Sequence, residues 1–236
     1  MFKNIVPVNK DAHENKKLRE INSFSFASEF NLATVMVHEF SRAASVYPII
    51  FVENQETGDF KSVALLGFEL GSNLFVNEDG EWDASYIPAI VRRYPFALAK
   101  TNEDQRFTVC IDEKSEFLSD DEGEPLFEED GKPSEVMERI KRYLGELHQM
   151  EQITNQFCKA MKEKYMLTPL SMKFRDTDTV KNISGAYVIN EERLNNLSDD
   201  DFLSLRHDNH LQPIYSHMSS LGQFDRLNKL RIKTNE

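Results

Sequence analysis

The sequence is poor in the residues that mark a disulfide-rich, collagen-like or low-complexity protein. Its 236 residues include only 2 Cys, 9 Gly and 8 Pro. Cys110 and Cys158 lie far apart and belong to no CxxC pair, which argues against a disulfide framework or a structural zinc site. Free cysteines of this kind are typical of a reducing compartment, so we predict a cytoplasmic protein.

Basic residues are also scarce. Lys and Arg number 28 against 40 Asp and Glu, which gives a formal net charge of -12. A surface of this sign repels phosphate backbones unless its few cations are clustered. We therefore predict that nucleic acid is not a partner.

Long apolar runs are absent from the sequence. The most apolar stretches, residues 47–52 and 63–70, are far shorter than the roughly 20 residues that a helix needs to cross a bilayer. The first twenty residues lack the apolar core of a secretory signal. The sequence thus predicts neither a membrane span nor a signal peptide.

Apolar residues make up 40% of the chain and include 17 Phe, enough for a sizeable core. The spacing of apolar residues in 31–46 predicts a helix. Residues 49–52 and 60–68 flank a turn-forming segment and predict an antiparallel hairpin. Further strands are expected at 74–76 and 106–112.

The second half of the chain has mainly helical periodicity. Residues 133–167 predict one long helix, which either packs on the sheet, with a bend near Gly145, or extends to form a partner or homodimer seam. Ser198 is expected to cap a helix, and 211–230 carry a closing helical stripe. We predict an α+β fold in a single domain, 1–236. Its antiparallel sheet lies mainly in the N-terminal half, covered by the long central helix and C-terminal helices.

Acidic residues dominate the segment 112–132, which we interpret as a solvated surface loop. Calcium binding is the alternative for such a run. The DxDxDG spacing and the closing bidentate Glu of an EF-hand are missing, which favours the plain loop.

Common catalytic motifs are missing from the sequence: there is no GxSxG, HExxH, GxxxxGKS or GxGxxG pattern. The strongest metal candidate is the group His207, Asp208, His210 and His217, which could supply ligands to an iron oxygenase-like enzyme. Histidines near helix ends are the plainer interpretation. We therefore predict no catalytic residues, no metal site and no cofactor.

Residues 73–96 collect the only Trp together with Tyr, Phe and an adjacent Arg pair. Aromatic rings beside arginines are typical of ligand and partner sites. The alternative is an aromatic-rich connection packed on the sheet, with its arginines paired to internal carboxylates. The binding hypothesis names seven ligand-binding residues: Asn73, Trp82, Tyr86, Arg92, Arg93, Tyr94 and Phe96.

Several blocks of the chain resemble one bacterial family. They are EFSRAASVYPIIF at 39–51, ALLGFELGSNLFV at 64–76, WDASYIPAIVRRYPF at 82–96, GEPLF at 123–127 and SGAYVINEERLNNLSDDDFLSL at 184–205. In this order they resemble the SapC family, from about residue 6 to 230. That family is named after a surface-layer locus and differs from the peptide-transport permease of the same name.

The resemblance implies a soluble bacterial protein encoded near tryptophan-halogenase-like proteins, TonB-dependent receptors and cupin-like proteins. It carries over no catalytic residues. The favoured function is a non-enzymatic cytoplasmic accessory protein that binds a small ligand or a partner protein through residues 82–96. The alternative is a metal-dependent enzyme that uses the C-terminal histidines.

Overall fold

A computed structural model gives the fold of the chain and describes residues 2–100, 107–171, 173–176, 179–182 and 185–234. The strands are β1 Ile5–Pro7, β2 Lys17–Leu18, β3 Leu32–Thr34, β4 Ile49–Glu53, β5 Phe60–Leu65, β6 Phe96–Lys100, β7 Phe107–Asp112, β8 Leu118–Ser119, β9 Glu124–Pro125, β10 Leu167–Pro169, β11 Lys173–Asp176, β12 Thr179–Asn182 and β13 Ala186–Ile189. The α-helices are α1 Lys10–His13, α2 Phe40–Ala43, α3 Ala89–Arg92, α4 Glu135–Glu163, α5 Glu191–Asn195, α6 Asp199–His207, α7 Leu211–Ser220 and α8 Gln223–Thr234. The predicted α+β class is confirmed.

The largest sheet is antiparallel and has the strand order β10-β13-β4-β5-β3. The predicted hairpin forms its centre, with Ile49 opposite Ala64 and Phe51 opposite Ser62. Because β4 is buried on both faces, its sequence is a continuous apolar run and does not alternate between apolar and polar residues.

A second antiparallel sheet, β1-β7-β6, lies beside the N-terminal half of α4. Its centre strand β7 is the strand predicted at 106–112, of which residue 106 lies outside the described residues. Phe107, Val109 and Ile111 alternate along β7, so their side chains share one face of the sheet. That face is turned toward α4.

The long helix α4 is confirmed and passes unbroken through Gly145. Ser134 caps it, since the Ser134 hydroxyl oxygen accepts the N–H of Met137 at 3.3 Å. Its first half packs Val136 and Leu144 against the second sheet, and its second half packs Phe157 against the largest sheet. One helix therefore serves two hydrophobic clusters, which explains its length of about 43 Å.

The helix predicted over 31–46 is wrong in its first part. Leu32–Thr34 is strand β3, paired with β5 at the edge of the largest sheet, and only a 3-10 turn and the one-turn helix α2 follow. The apolar residues of 31–46 are spaced three and four apart, as in a helix. So short a pattern can be overridden when the segment pairs with a strand that is distant in the sequence. The strand predicted at 74–76 is reduced to a single bridge between Val76 and Trp82.

Two Tyr-Pro pairs mark changes in the direction of the chain. Tyr47-Pro48 ends the segment that follows α2 and precedes β4, while Tyr94-Pro95 follows α3 and precedes β6. The Tyr94-Pro95 peptide bond is cis. Neither proline lies inside a helix.

The acidic segment 112–132 includes two short strands, β8 and β9, which both pair with β2. Phe117 and Leu126 are buried and attach the segment to the core, and Asp112 is the one acidic residue of the segment that is buried. The closing stripe at 211–230 is divided into α7 and α8 around Gly222. None of the helices in the described ranges is long and apolar enough to span a bilayer.

Candidate functional site

The indole of Trp82 lies in the core. Its Nε1 donates a hydrogen bond of 2.8 Å to the hydroxyl of Tyr47, which in turn donates to the carbonyl oxygen of Tyr86. Phe24 meets the indole edge-on, with ring centroids 5.8 Å apart. Burial raises the pKa of Tyr47, so its hydroxyl stays protonated and available as a donor. Trp82 therefore acts as a packing residue.

Three more of the predicted binding residues are buried. The amide of Asn73 donates to the carbonyl oxygen of Ala27 at 2.9 Å, and its Oδ1 accepts the N–H of Phe75 at 3.0 Å. Tyr94 stacks on Phe26, with ring centroids 4.1 Å apart. Phe96 belongs to the hydrophobic cluster under the second sheet. These side chains stabilise the connection between the sheets and present no surface to a ligand.

The half-buried Tyr86 and the exposed Arg92 form a rim. The Tyr86 hydroxyl donates to the buried carboxylate of Glu39, which also accepts the N–H of Ala89 at 2.8 Å. Burial and the nearby carboxylate raise the pKa of Tyr86. The Arg92 guanidinium lies 5.8 Å from the Tyr86 ring centroid and 5.9 Å from that of Tyr143. Arg92 is thus held by aromatic faces.

Arg93 is more buried than its neighbour Arg92, although both residues lie at the C-terminal end of the one-turn helix α3. Arg93 is half-buried and its guanidinium lies 5.7 Å from the Phe2 ring centroid. Its Nε is buried without a hydrogen-bond partner in the described part of the chain. Burial lowers the pKa of Arg93, while the charge of Glu151 opposes that shift. The alternative to a binding site is that the arginines pair with internal carboxylates. Among the described residues, no carboxylate accepts a hydrogen bond from the Arg93 Nε.

Another candidate site lies elsewhere, in a groove between the second sheet and α4. It is an open cavity of about 640 Å³ whose lining is mostly apolar. The sheet contributes Leu98, Phe107 and Val109, and Phe107 remains 47% exposed. We call it the large cavity.

The helix side of the large cavity has a regular spacing. Met137, Lys141, Gly145 and His148 follow one another at intervals of four, four and three residues, which places them on one side of α4. A Cβ built on Gly145 would meet no atom within 4 Å. The missing side chain at Gly145 thus leaves open space in the groove.

A small cavity of about 230 Å³ adjoins the large one. The two share Leu98, Phe107 and His148 in their walls. The small cavity adds Arg93 and two more charged side chains, those of Lys100 and Glu151. Of the seven predicted binding residues, Arg93 lines the small cavity, and the other six line neither of these two cavities.

Sequence reasoning missed the groove because its walls come from distant segments. Val8 follows β1, Leu98 and Phe107 lie on β6 and β7, and Gly145 lies on α4. The alternation of apolar residues in β7 was visible, but it identifies a buried face and not an incompletely covered one. Only tertiary packing brings these segments together.

The SapC family model matches residues 8–227, which include every residue that lines the two cavities. The chain belongs to the SapC family. The resemblance seen in the sequence blocks is thereby confirmed. No curated protein matches the chain, and no solved structure does either.

The three C-terminal histidines of this SapC-family protein lie in different surroundings. His217 is fully buried, and its Nε2 accepts the N–H of Ile189 at 3.0 Å. His210 packs edge-on against Phe157, whereas His207 is exposed at the end of α6. Among the residues that the structure describes, no group of three or more His, Cys, Asp or Glu could hold a metal ion. The histidine arrangement therefore gives no support to the metal-enzyme alternative.

Proposed function

We propose that this SapC-family chain is a non-enzymatic accessory protein that binds an apolar small molecule in the groove between the second sheet and α4. The observation that carries the proposal is the large cavity, with its volume of about 640 Å³ and apolar lining. Binding sites for small molecules are typically concave, largely apolar and of roughly 300–1,000 Å³.

The apolar walls supply the driving force for binding. Leu98 and Val109 are half-buried and Phe107 is more exposed than either, so apolar surface remains in contact with water. A ligand that covers this surface gains about 25 cal/mol for each Å² removed from water. Since the cavity is open to solvent, a ligand can enter without unfolding the sheet.

The proposal also includes the cellular role that the family resemblance implies. We place the protein in the cytoplasm, as an accessory to tryptophan-halogenase-like proteins or TonB-dependent receptors. We treat residues 1–236 as one domain, because α4 contributes side chains to both the first and the second hydrophobic cluster. The rim formed by the exposed Arg92 and the half-buried Tyr86 is then a surface for a partner protein.

Binding of N-phenyl-1-naphthylamine, a neutral apolar fluorophore, tests the proposal. We expect saturable fluorescence enhancement with the wild-type protein and at least about tenfold weaker binding by Gly145→Leu, whose side chain would fill the groove. Glu146→Leu adds the same side chain at the exposed neighbouring position and should bind like wild type.

Circular dichroism and thermal melting establish that both variants are folded. The proposal is overturned if the wild-type protein gives no saturable binding. It is equally overturned if Gly145→Leu and Glu146→Leu bind the fluorophore with the same affinity.

A further inference from the structure

The small cavity is lined by a cation, Arg93, with one nearby carboxylate, that of Glu151. The Arg93 Nε is buried and has no hydrogen-bond partner within the described ranges. The guanidinium carbon lies 5.7 Å from the centroid of the Phe2 ring, and Arg93 lines the small cavity. A guanidinium in this position has donors to offer to a group that enters the cavity.

A buried donor nitrogen without a hydrogen-bond partner, such as the Arg93 Nε among the described residues, is unfavourable. A buried donor that lacks a partner costs desolvation free energy, and the cost is greater when the donor is charged. Burial accordingly lowers the pKa of Arg93, and the nearby Glu151 compensates only in part. An anionic group placed beside Arg93 would remove this penalty.

Positively charged side chains outnumber negatively charged ones in the lining of the small cavity. Arg93 and Lys100 line it together with the single carboxylate of Glu151, and His148 stands where the small cavity meets the large one. In the large cavity, no carboxylate belongs to the described lining. The groove therefore has an apolar part and an adjoining cationic part.

We infer that the groove takes an amphiphile whose anionic head group binds at Arg93 and whose apolar tail lies in the large cavity. This inference rests on the proposed function and adds the chemical class of the ligand. The planar fork of arginine donors matches the paired oxygens of a carboxylate or a phosphate, which a lysine cannot match in the same way.

The two lysines of the large cavity are weaker anchors for such a head group. Lys10 forms a salt bridge of 3.4 Å with Glu14, and Lys141 forms one of 2.7 Å with Glu138. Both lysines are exposed, so water screens their charges. The orientation with the head group at Arg93 is favoured because Arg93 is half-buried and its Nε has no hydrogen-bond partner among the described residues.

Displacement of bound N-phenyl-1-naphthylamine by decanoate, decyl phosphate and decanol tests the inference. The two anions are kept below their critical micelle concentrations, and decanol is kept below its solubility limit. We expect at least one of the two anions to bind the wild-type protein about tenfold or more tightly than decanol, since charge-assisted hydrogen bonds form only with the anions. The better of the two anions identifies the head group.

Arg93→Gln should lose this preference for the anion and keep the affinity for decanol. Arg93→Lys retains the positive charge without the planar fork of guanidinium donors and should retain part of the preference for the anion. If Arg93→Gln does not fold, Arg93→Lys takes its place in the test. Arg142→Gln removes an exposed arginine of α4 outside the groove and should keep the wild-type preference.

Equal binding of decanol and both anions to the wild-type protein would overturn the inference and leave the proposed function standing. A preference that survives in Arg93→Gln but disappears in Lys141→Gln would place the head group at the opposite end of the groove and would also overturn it. If the fluorophore itself does not bind, the proposed function fails, and the inference fails with it.

Discussion

The Trp82 indole donates a hydrogen bond of 2.8 Å to the Tyr47 hydroxyl, and that hydroxyl donates to the main-chain carbonyl oxygen of Tyr86. Tyr47 precedes Pro48 at the entry to β4, so this chain of hydrogen bonds joins the largest sheet to the irregular connection that precedes α3. The most aromatic segment of the sequence is thus fixed to the core by polar contacts as well as by ring packing.

Replacement of Tyr47 by Phe should destabilise the protein by about 1–3 kcal/mol. The variant leaves the Trp82 Nε1 and the Tyr86 carbonyl without their shared partner inside the protein. Urea denaturation followed by circular dichroism measures the free energy of unfolding. Tyr215→Phe is the matched control at a 48% exposed position and should change it by less than about 0.5 kcal/mol. Equal effects of the two substitutions would contradict this account.

Replacement of Gly145 by Ala should stabilise the protein by about 0.5–1 kcal/mol. Glycine leaves the unfolded chain more conformational freedom than alanine does, and this freedom is lost when the helix forms. The added methyl group meets no atom within 4 Å. Gly123→Ala is the contrasting variant: its Cβ would lie 2.3 Å from the carbonyl oxygen of Leu18, at a φ of 113°. Thermal melting should show a higher midpoint for Gly145→Ala and a lower one for Gly123→Ala. A lower midpoint for both would refute the explanation.

Asp112 should stabilise the folded protein at neutral pH and lose this effect in acid. Burial by itself raises its pKa, but hydrogen bonds outweigh this and hold the pKa below its ordinary value of 3.8. The donors are the Tyr94 hydroxyl and three backbone N–H groups, those of Lys3, Asn4 and Lys114.

A carboxyl whose folded-state pKa is depressed stabilises the protein above its unfolded-state pKa, and the effect disappears as pH falls through the folded-state value. Asp112→Asn should therefore cost about 1–3 kcal/mol at pH 7 and progressively less below about pH 4. Urea denaturation at several pH values measures the difference between the two proteins. A difference that stays constant from pH 7 to pH 3 would argue against a charge effect.

His217 should make the protein less stable as pH falls from about 6.5 toward 4. Burial lowers the pKa of His217 to about 4, so the folded protein keeps the ring neutral while the unfolded chain binds a proton at its ordinary pKa of 6.5. His217→Gln keeps an acceptor for the Ile189 N–H and should lose this part of the pH dependence. His207→Gln, at an exposed position, should retain it. The same slope in all three proteins would exclude His217 as its source.

The binding residues predicted from the sequence were chosen by residue type, and residue type alone does not distinguish a ligand surface from an aromatic core. Trp82 and Tyr94 satisfy their polar atoms inside the protein, through Tyr47 and Asp112. Only the burial of each ring, which depends on residues distant in sequence, separates the two interpretations.

The sequence by itself determined the features that depend on neighbouring residues. The α4 helix follows from its spacing and its Ser134 cap, the β4–β5 hairpin from two apolar runs around a turn, and the family from ordered sequence blocks. Tertiary structure alone decided that Leu32–Thr34 joins the largest sheet as an edge strand. It also decided that Arg93 and Gly145 line one groove, because α3 and α4 are far apart in the chain and only packing against the second sheet brings them together. Short-range order is encoded in local sequence, whereas a cavity exists only where separate segments fail to fill the space between them.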